Sequence, residues 1–359
     1  MKILVGLSGG VDSATTAAIL KKEGHEVIGI TMSIWGDKKT SSIKSIHNAC
    51  LGPNEKEDIE TAKQISKQLG IEHIVIDCSK EYDEIVLKNF KNEYLIGNTP
   101  NPCVRCNALV KFGVLLTLAK EKGIVFDKFA TGHYARIIKD NGQFLLKQAK
   151  DKTKDQSYFL YKLTWEQLKD IIFPLGEYTK VEVRNIAKNF NLPIYDKNDS
   201  QDFYEGDYNE LLNVDEKIGN IIDKQGNVLG THKGIWNFTI GQRKGLKISS
   251  SKPLYVIELK SETNEVVVGD IDDSFHKNVI AKEINYISKI FFDSYYSNKK
   301  VYGAKIRSGS KMSECIVNVI NETLDVEFLE YQKAITKGQS IVIYDNEFVV
   351  AGGIIYKVY

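Results

Sequence analysis

The chain opens with a short apolar run, KILVGL (2–7), rich in β-formers and followed by the turn residues SGGVDS (8–13). The run reads as a buried parallel strand. ATTAAILKKEG (14–24) then spaces its apolar residues at helical intervals and ends on Gly24, a helix-stop signal. EVIGITM (26–32) is a second buried strand. Strand, turn, helix and strand in that order predict the start of a doubly wound α/β sheet. The pattern recurs: EDIETAKQISKQLG (57–70) is an amphipathic helix, EHIVIDC (72–78) a strand, ALVKFGVLLTLAKEKG (108–123) a helix, and FDKFATGHYA (126–135) a strand running into a glycine turn. VEVRNIAKNFN (181–191) is a further helix, stopped by Leu192-Pro193. A first domain over 1–205 follows from this rhythm.

The texture then changes. A central region, 206–277, contains the glycine-punctuated GNVLGTHKGIWNFTIGQRKGL (226–246). From 278 to 359 short alternating runs dominate, among them VYGAKIRSG, ECIVNVI, LDVEFLE, SIVIYD and FVVAGGIIYKV. Repeated short strands with turn signals predict a small antiparallel β-barrel. Residues 36–58 read as a long loop, and loops of that length inside a compact domain are often functional.

Composition adds bounds. A chain of 359 residues, 42% hydrophobic and 26% charged, has material for two or three domains with real cores. The formal net charge of +1 does not announce nucleic acid, although a balanced total can hide a local basic face such as KQAKDKTK (147–154). The N-terminal apolar run is too short for a signal peptide, and no stretch holds some 18 consecutive apolar residues. We therefore expect a cytoplasmic protein without a membrane partner, a monomer or weak dimer, with reduced thiols.

Two motifs carry chemistry. Glycines in SGGVDS let backbone approach a phosphate chain, the following helix offers free N–H donors, Ser8 and Ser13 add hydroxyls, and Asp12 can hold a Mg²⁺ ion. An ordinary strand–helix turn would also carry Gly-Gly and a capping Asp. The loop lacks the Lys of a Walker loop and the third Gly of a dinucleotide fingerprint. Instead it resembles the SGGxDS pyrophosphate-binding loop (PP-loop) of ATP pyrophosphatases, which implies activation of an oxygen by adenylation. The second motif, TPNPCVRCN (99–107), sets Cys103 and Cys106 three apart.

Further motifs occur in order: TPNPCVRCN with KFG, ATGHYAR, KDQSYFL, FPLGEYTKVEVR, DSQDF with GDY, FTIGQRKGL, and GQSIVIYD with GGII. Together they resemble the bacterial tRNA-specific 2-thiouridylase family over nearly the whole chain. The resemblance implies a PP-loop domain, a small central domain and a C-terminal β-barrel, with ATP and Mg²⁺ as cofactors, and tRNA and a sulfur donor as partners. The reaction implied is replacement of the C2 oxygen of the wobble uridine by sulfur. It also implies an ATP site at Gly6, Leu7, Ser8, Gly9, Gly10, Val11, Asp12, Ser13, Met32 and Gly132. tRNA contacts would come from Asn101, Pro102, Cys103, His133, Lys154, Asp155, Gln156, Arg307, Ser308 and Gln339. Cys106 occupies the place of the nucleophile, and the catalytic set is Cys106, Cys103 and Asp12. Arg105, Lys111 or the N-terminus of a helix over 108–122 would favour its thiolate.

The chain departs from the family pattern where many members have Asp and this one has Cys103, and where a second catalytic cysteine is replaced in SQDFYEGDY (200–208). A permanent disulfide is disfavoured by compartment, and zinc would need a second pair of ligands. Cys50, Cys103 and Cys106 could hold a [4Fe–4S] cluster with one open iron. Alternatively Cys103 or Cys50 carries a persulfide, or Cys50 is a small buried hydrophobe. Cys78 and Cys315 read as structural. The competing functions are another PP-loop ligase or thiolase, and a non-catalytic RNA-binding protein with a metal clip.

Overall fold

A computed structural model describes residues 1–36, 51, 54–195, 203–204, 207–287 and 300–359. The chain forms two compact units, one of Met1–Val86, Cys103–Gly206 and Glu347–Val349, the other of Leu87–Pro102, Asp207–Asn346 and Val350–Tyr359.

The first unit is built on a parallel sheet. Its strands are β1 (Lys2–Gly6), β2 (Glu26–Ser33), β3 (Glu72–Asp77) and β4 (Lys128–Ala130), with a hairpin of β5 (Ala135–Asp140) and β6 (Gln143–Gln148) and a short β7 (Ile171–Ile172). The sheet order is β3-β2-β1-β4-β7, so β1 is central, and its Ile3, Leu4 and Val5 are fully buried. A strand covered on both faces needs an unbroken apolar run, which is how KILVGL reads. Helix α1 (Val11–Lys22) follows β1, and nine of its residues are buried, among them Ala14, Thr15, Thr16, Ala17 and Ala18. Small side chains let it lie close to the sheet and to the helix Lys180–Asn189, as Val11 and Ala14 do in a cluster with Ala187 and Leu192. Helix α2 (Glu55–Leu69) ends at Gly70, whose φ of 60° is the left-handed cap that glycine supplies without strain. The β5–β6 hairpin turns on Asn141-Gly142, both at positive φ, the pairing that matches strand twist.

One sequence expectation changes. Helical backbone does not begin at 108 but at Pro102, and it runs unbroken to Glu121. Pro at the first helical position costs no hydrogen bond, so Asn101-Pro102 is a start signal. Residues Cys106–Val114 wind as a π-helix, with the Leu115 N–H reaching back five residues to the Val110 carbonyl. The Gln167 side-chain amide donates to the Ala108 and Phe112 carbonyls (3.1 and 3.0 Å), which ties this wider coil down. The same helix is long and apolar enough to cross a membrane, but Val104, Val110, Phe112, Leu115 and Ala119 are buried in the unit.

In the second unit β8 (Gly219–Ile222), β9 (Val228–His232), β10 (Tyr255–Lys260) and β11 (Glu265–Gly269) form a sheet in the order β10-β11-β8-β9. Strands β12 (Phe275–Tyr286), β13 (Val301–Lys305), β14 (Ser313–Ile320), β15 (Thr323–Lys333), β16 (Ser340–Asp345) and β17 (Phe348–Val358) run β12-β15-β14-β13-β16-β17, and β12 pairs back to β17. That closure makes the expected antiparallel barrel and leaves it no open edge. Its core includes Val279, Tyr302, Val326, Phe328, Ile341 and Ile355.

Phe328 is 1% exposed at the centre of this core. Phe328→Ala should lower barrel stability by about 3–5 kcal/mol, read as an earlier denaturant midpoint in a barrel-specific probe. An unchanged midpoint would mean that the core collapses around the gap.

Candidate active site

The loop between β1 and α1 is shaped from both sides by backbone. Gly9 has φ +73°, and a Cβ there would sit 2.6 Å from the Asp58 carbonyl oxygen at the start of α2. Gly132, just after β4, packs on the first turn of α1, where a Cβ would sit 2.7 Å from the Asp12 carbonyl carbon and 2.8 Å from the Ser13 nitrogen. Only glycine fits at either place. Within the loop the Ser8 N–H donates to Ser13 Oγ (3.1 Å), the two hydroxyls lie 3.2 Å apart, and Ser13 Oγ donates to the Gly10 carbonyl (3.0 Å). Gly10 caps α1 with no side-chain bond, so the helix end keeps its positive pole for an anion. Gly6 and Leu7 lead into the loop and Val11 is buried beneath it. Met32 lies near the end of β2, where the Glu55 carboxylate accepts from Ser33 Oγ (2.7 Å), Ile34 N–H (2.5 Å) and Trp35 N–H (2.9 Å). These residues form a cradle fit for a phosphate chain.

Asp12 has partners that the sequence did not reveal. Both its carboxylate oxygens accept from Lys180 Nζ, at 2.7 and 2.9 Å, and Oδ1 accepts from the Tyr134 hydroxyl at 2.8 Å. A Mg²⁺ ion at Asp12 would have to compete with this ion pair. Lys180 stands 168 residues from Asp12, so no local pattern could have announced it.

Cys103 lies in the first turn of the Pro102–Glu121 helix and Cys106 one turn on, at the start of the π-helical stretch; both are half-buried. Spacing of three places both thiols on one helix face. Cys106 is thus inside a helix rather than ahead of one, and Cys103 takes the N-terminal position. Around them the Arg105 guanidinium donates to the Ile85 carbonyl (2.7 Å) and Asn107 to the Phe159 carbonyl (3.2 Å). Cys78, at the end of β3, is fully buried, and its thiol is pushed up to about 12, chiefly by burial and then by Glu81, Asp77 and Cys106. Cys315, in the barrel core, is likewise pushed up to about 12 by burial. Both stay protonated, which fits structural roles. Cys50 lies outside the described residues, as does most of the segment 200–208. Among the described residues no group of three or more His, Cys, Asp or Glu is placed to hold a metal ion.

His133 joins the two parts. Its neighbour Gly132 abuts α1, while its ring meets Phe112 of the cysteine helix (5.7 Å between centroids) and Phe173 (5.8 Å). Thr131 Oγ1 lies 2.7 Å from its Nδ1. Burial, and then the Lys111 ammonium, hold His133 well below the ordinary imidazole value. Nucleotide loop, His133 and cysteine helix therefore gather at the carboxyl ends of the parallel strands, where open α/β sheets bind ligands.

The expected tRNA contacts divide. In the first unit Asp155 is bonded inward: Oδ1 accepts the Ala149 N–H (3.0 Å), while Oδ2 accepts from Gln148 (3.1 Å) and Ser157 Oγ (2.9 Å). Gln156 Oε1 accepts the Tyr134 N–H (3.0 Å), and Lys154 closes a turn on Asp151. In the second unit Arg307 and Ser308 are exposed on the β13–β14 connection. The Gln339 amide donates to the Thr99 carbonyl (2.9 Å), and Thr99 N–H donates to the Lys337 carbonyl (2.8 Å), so the strap leading to Asn101 and Pro102 is fixed to the barrel.

Known protein families match the chain domain by domain. Residues 1–204 match the tRNA methyl transferase HUP domain, 211–270 the PRC-barrel domain of tRNA methyl transferases, and 276–355 an aminomethyltransferase β-barrel domain. The chain belongs to the family of tRNA-specific 2-thiouridylases built on that HUP domain. It is 49% identical to tRNA-specific 2-thiouridylase MnmA of Endomicrobium trichonymphae, over 99% of both chains. To MnmA 1 of Caldanaerobacter subterraneus it is 44% identical, over 99% of this chain and 98% of that one, and to MnmA of Clostridium kluyveri 42%, over 99% of both.

Two measurements check the site. Gly132→Ala must push the first turn of α1 by some tenths of an ångström, and ATP affinity should fall at least tenfold in a binding assay; unchanged affinity would place the nucleotide elsewhere. The His133 ring should stay neutral at pH 6 by NMR. Since its folded value lies below the unfolded 6.5, the unfolded state binds the extra proton. Its contribution to stability is present above pH 6.5 and is lost as pH falls below that value. An ordinary titration near 6.5 would mean a solvated ring.

Proposed function

We propose that this protein uses ATP and Mg²⁺ to replace the C2 oxygen of the wobble uridine, position 34 of tRNA, with sulfur. The supporting observation is the shared address of two chemistries. A phosphate cradle and a helix bearing two half-buried thiols sit at one end of one sheet, linked through Gly132, His133 and Phe112.

In this reading the loop 8–13 and the N-terminus of α1 hold the phosphates. The uridine C2 oxygen attacks the α-phosphorus and pyrophosphate leaves, giving an O-adenylated base. Sulfur then bonds to C2 and AMP departs with the former C2 oxygen. A poor leaving group becomes a good one, which is why ATP is needed. In this step the Cys106 thiolate attacks C2 as the C2–O bond to AMP breaks, and hydrosulfide then displaces the thiolate from C2; the neutral His133 ring, packed on Phe112 and Phe173, adds no positive charge of its own. Asn101, Pro102, Arg307 and Ser308 contact the tRNA. Cys103 and Cys106 fit two thiolates of a [4Fe–4S] cluster, which when bound would present sulfide from an open iron. The described residues contain no third ligand, so no step is assigned to it.

Unmodified tRNA, ATP, Mg²⁺ and sulfide incubated with anaerobic protein should yield 2-thiouridine by nucleoside mass spectrometry. No product with sulfide or a persulfide donor would defeat this reading. Cys106→Ser should abolish product while tRNA affinity stays within about twofold, and wild-type yield from that variant would remove Cys106 from the chemistry. Iron and acid-labile sulfide content of wild type against Cys103→Ser then separates a cluster from a cysteine relay.

A further inference from the structure

The phosphate loop carries no cation of its own. SGGVDS has neither Lys nor Arg, and its one ionisable group, Asp12, is an anion in the first turn of α1. An unneutralised carboxylate there would repel a triphosphate about as strongly as the helix end attracts it. The fold answers this from 168 residues further along the chain. Lys180 Nζ meets both Asp12 oxygens at 2.7 and 2.9 Å and lies 5.7 Å over the Tyr134 ring, while the Tyr134 hydroxyl donates to the same carboxylate.

The placement of Lys180 does not depend on Asp12 alone. It is the first residue of the Lys180–Asn189 helix, whose start is fixed by a reciprocal cap between Thr179 and Glu182. Its own backbone N–H donates to Asp151 Oδ2 at 3.0 Å. Lys180 is only 8% exposed, and lysine is seldom so deeply buried unless it is paired, as it is here with Asp12. Burying an ion pair is poor value for stability alone, because well-packed apolar side chains usually do as well.

We infer that Lys180 is a nucleotide-binding residue: its ammonium serves the phosphate chain of ATP at the N-terminus of α1, the office a Walker lysine fills from within its loop. Asp12 and Tyr134 are then positioning residues that aim it. The inference rests on the reading of the loop as a nucleoside-triphosphate site, and not on thiolation.

The test is equilibrium binding of a non-hydrolysable ATP analogue with Mg²⁺, and of adenosine, to the full-length protein, with thermal melting to confirm folding. Lys180→Met should weaken the analogue at least tenfold and leave adenosine within twofold, and Lys180→Arg should recover most of the loss. Equal weakening of both ligands would make Lys180 a purely structural residue and overturn the inference, as would no weakening of either. Should the Met variant not fold, wild-type protein labelled at lysine Nζ decides. The Lys180 ammonium resonance should move with the analogue and not with adenosine, and a resonance indifferent to both overturns the inference. If wild-type protein bound adenosine and the analogue equally, or neither, the triphosphate reading would fail first, whereas loss of thiolation with a normal binding pattern would leave this inference standing.

Discussion

Backbone meeting backbone at two glycines governs the carboxyl end of the parallel sheet in the first unit. Gly9 lies against the start of α2, and Gly132 lies against the start of α1. A single methyl at either place would collide with main-chain atoms, which cannot swing aside as a side chain can. The loop is thus clamped before any nucleotide arrives. Its shape is part of the folded ground state, and binding does not have to supply the ordering entropy. The same clamp fixes His133 by its chain neighbour, and His133 in turn abuts Phe112 on the cysteine helix.

The thiols occupy two environments. Cys78 and Cys315 are fully buried in surroundings that disfavour thiolate, so they behave as small apolar side chains. Cys103 and Cys106 keep partial access to solvent and share one helix face. Their helix is also unusual, since the π-helical turns at Cys106–Val114 widen the coil where the chemistry is expected. Gln167 holds that wider coil by its two amide bonds, which makes it a support for the thiol that it does not touch in sequence.

Much of this was legible in the sequence because the signals are local. KILVGL followed by SGGVDS defines β1, the loop and α1 within some twenty residues, and Gly70 marks the end of α2 as read. The alternating runs after 278 fold into the closed barrel. What was missed has physical causes. The start of the cysteine helix was misplaced because TPNPC looks like turn chemistry, although Pro is also a favoured first helical residue. Lys180 escaped because an ion pair across 168 residues has no periodicity to read. The hydrogen bonds of Asp155 and Gln156 with Gln148, Ala149 and Tyr134 were not legible either, because they depend on how the β5–β6 hairpin folds back and not on the KDQSY motif.

Glu347–Val349 belongs to the first unit although it lies near the end of the chain. There Phe348 pairs with Lys147 on β6, and Glu347 meets Lys152, Lys147 and Arg136, the lysines pushing its carboxyl down to about 2. A ribosome delivers an N-terminal domain first, at roughly 5–20 residues per second. Here it has released the whole nucleotide fold well before this tripeptide emerges. For that interval, on the order of ten seconds, the Lys147–Gln148 end of β6 is an open strand edge able to pair with another strand. The nascent enzyme therefore has a vulnerable age, which ends only when the last strand of the barrel begins.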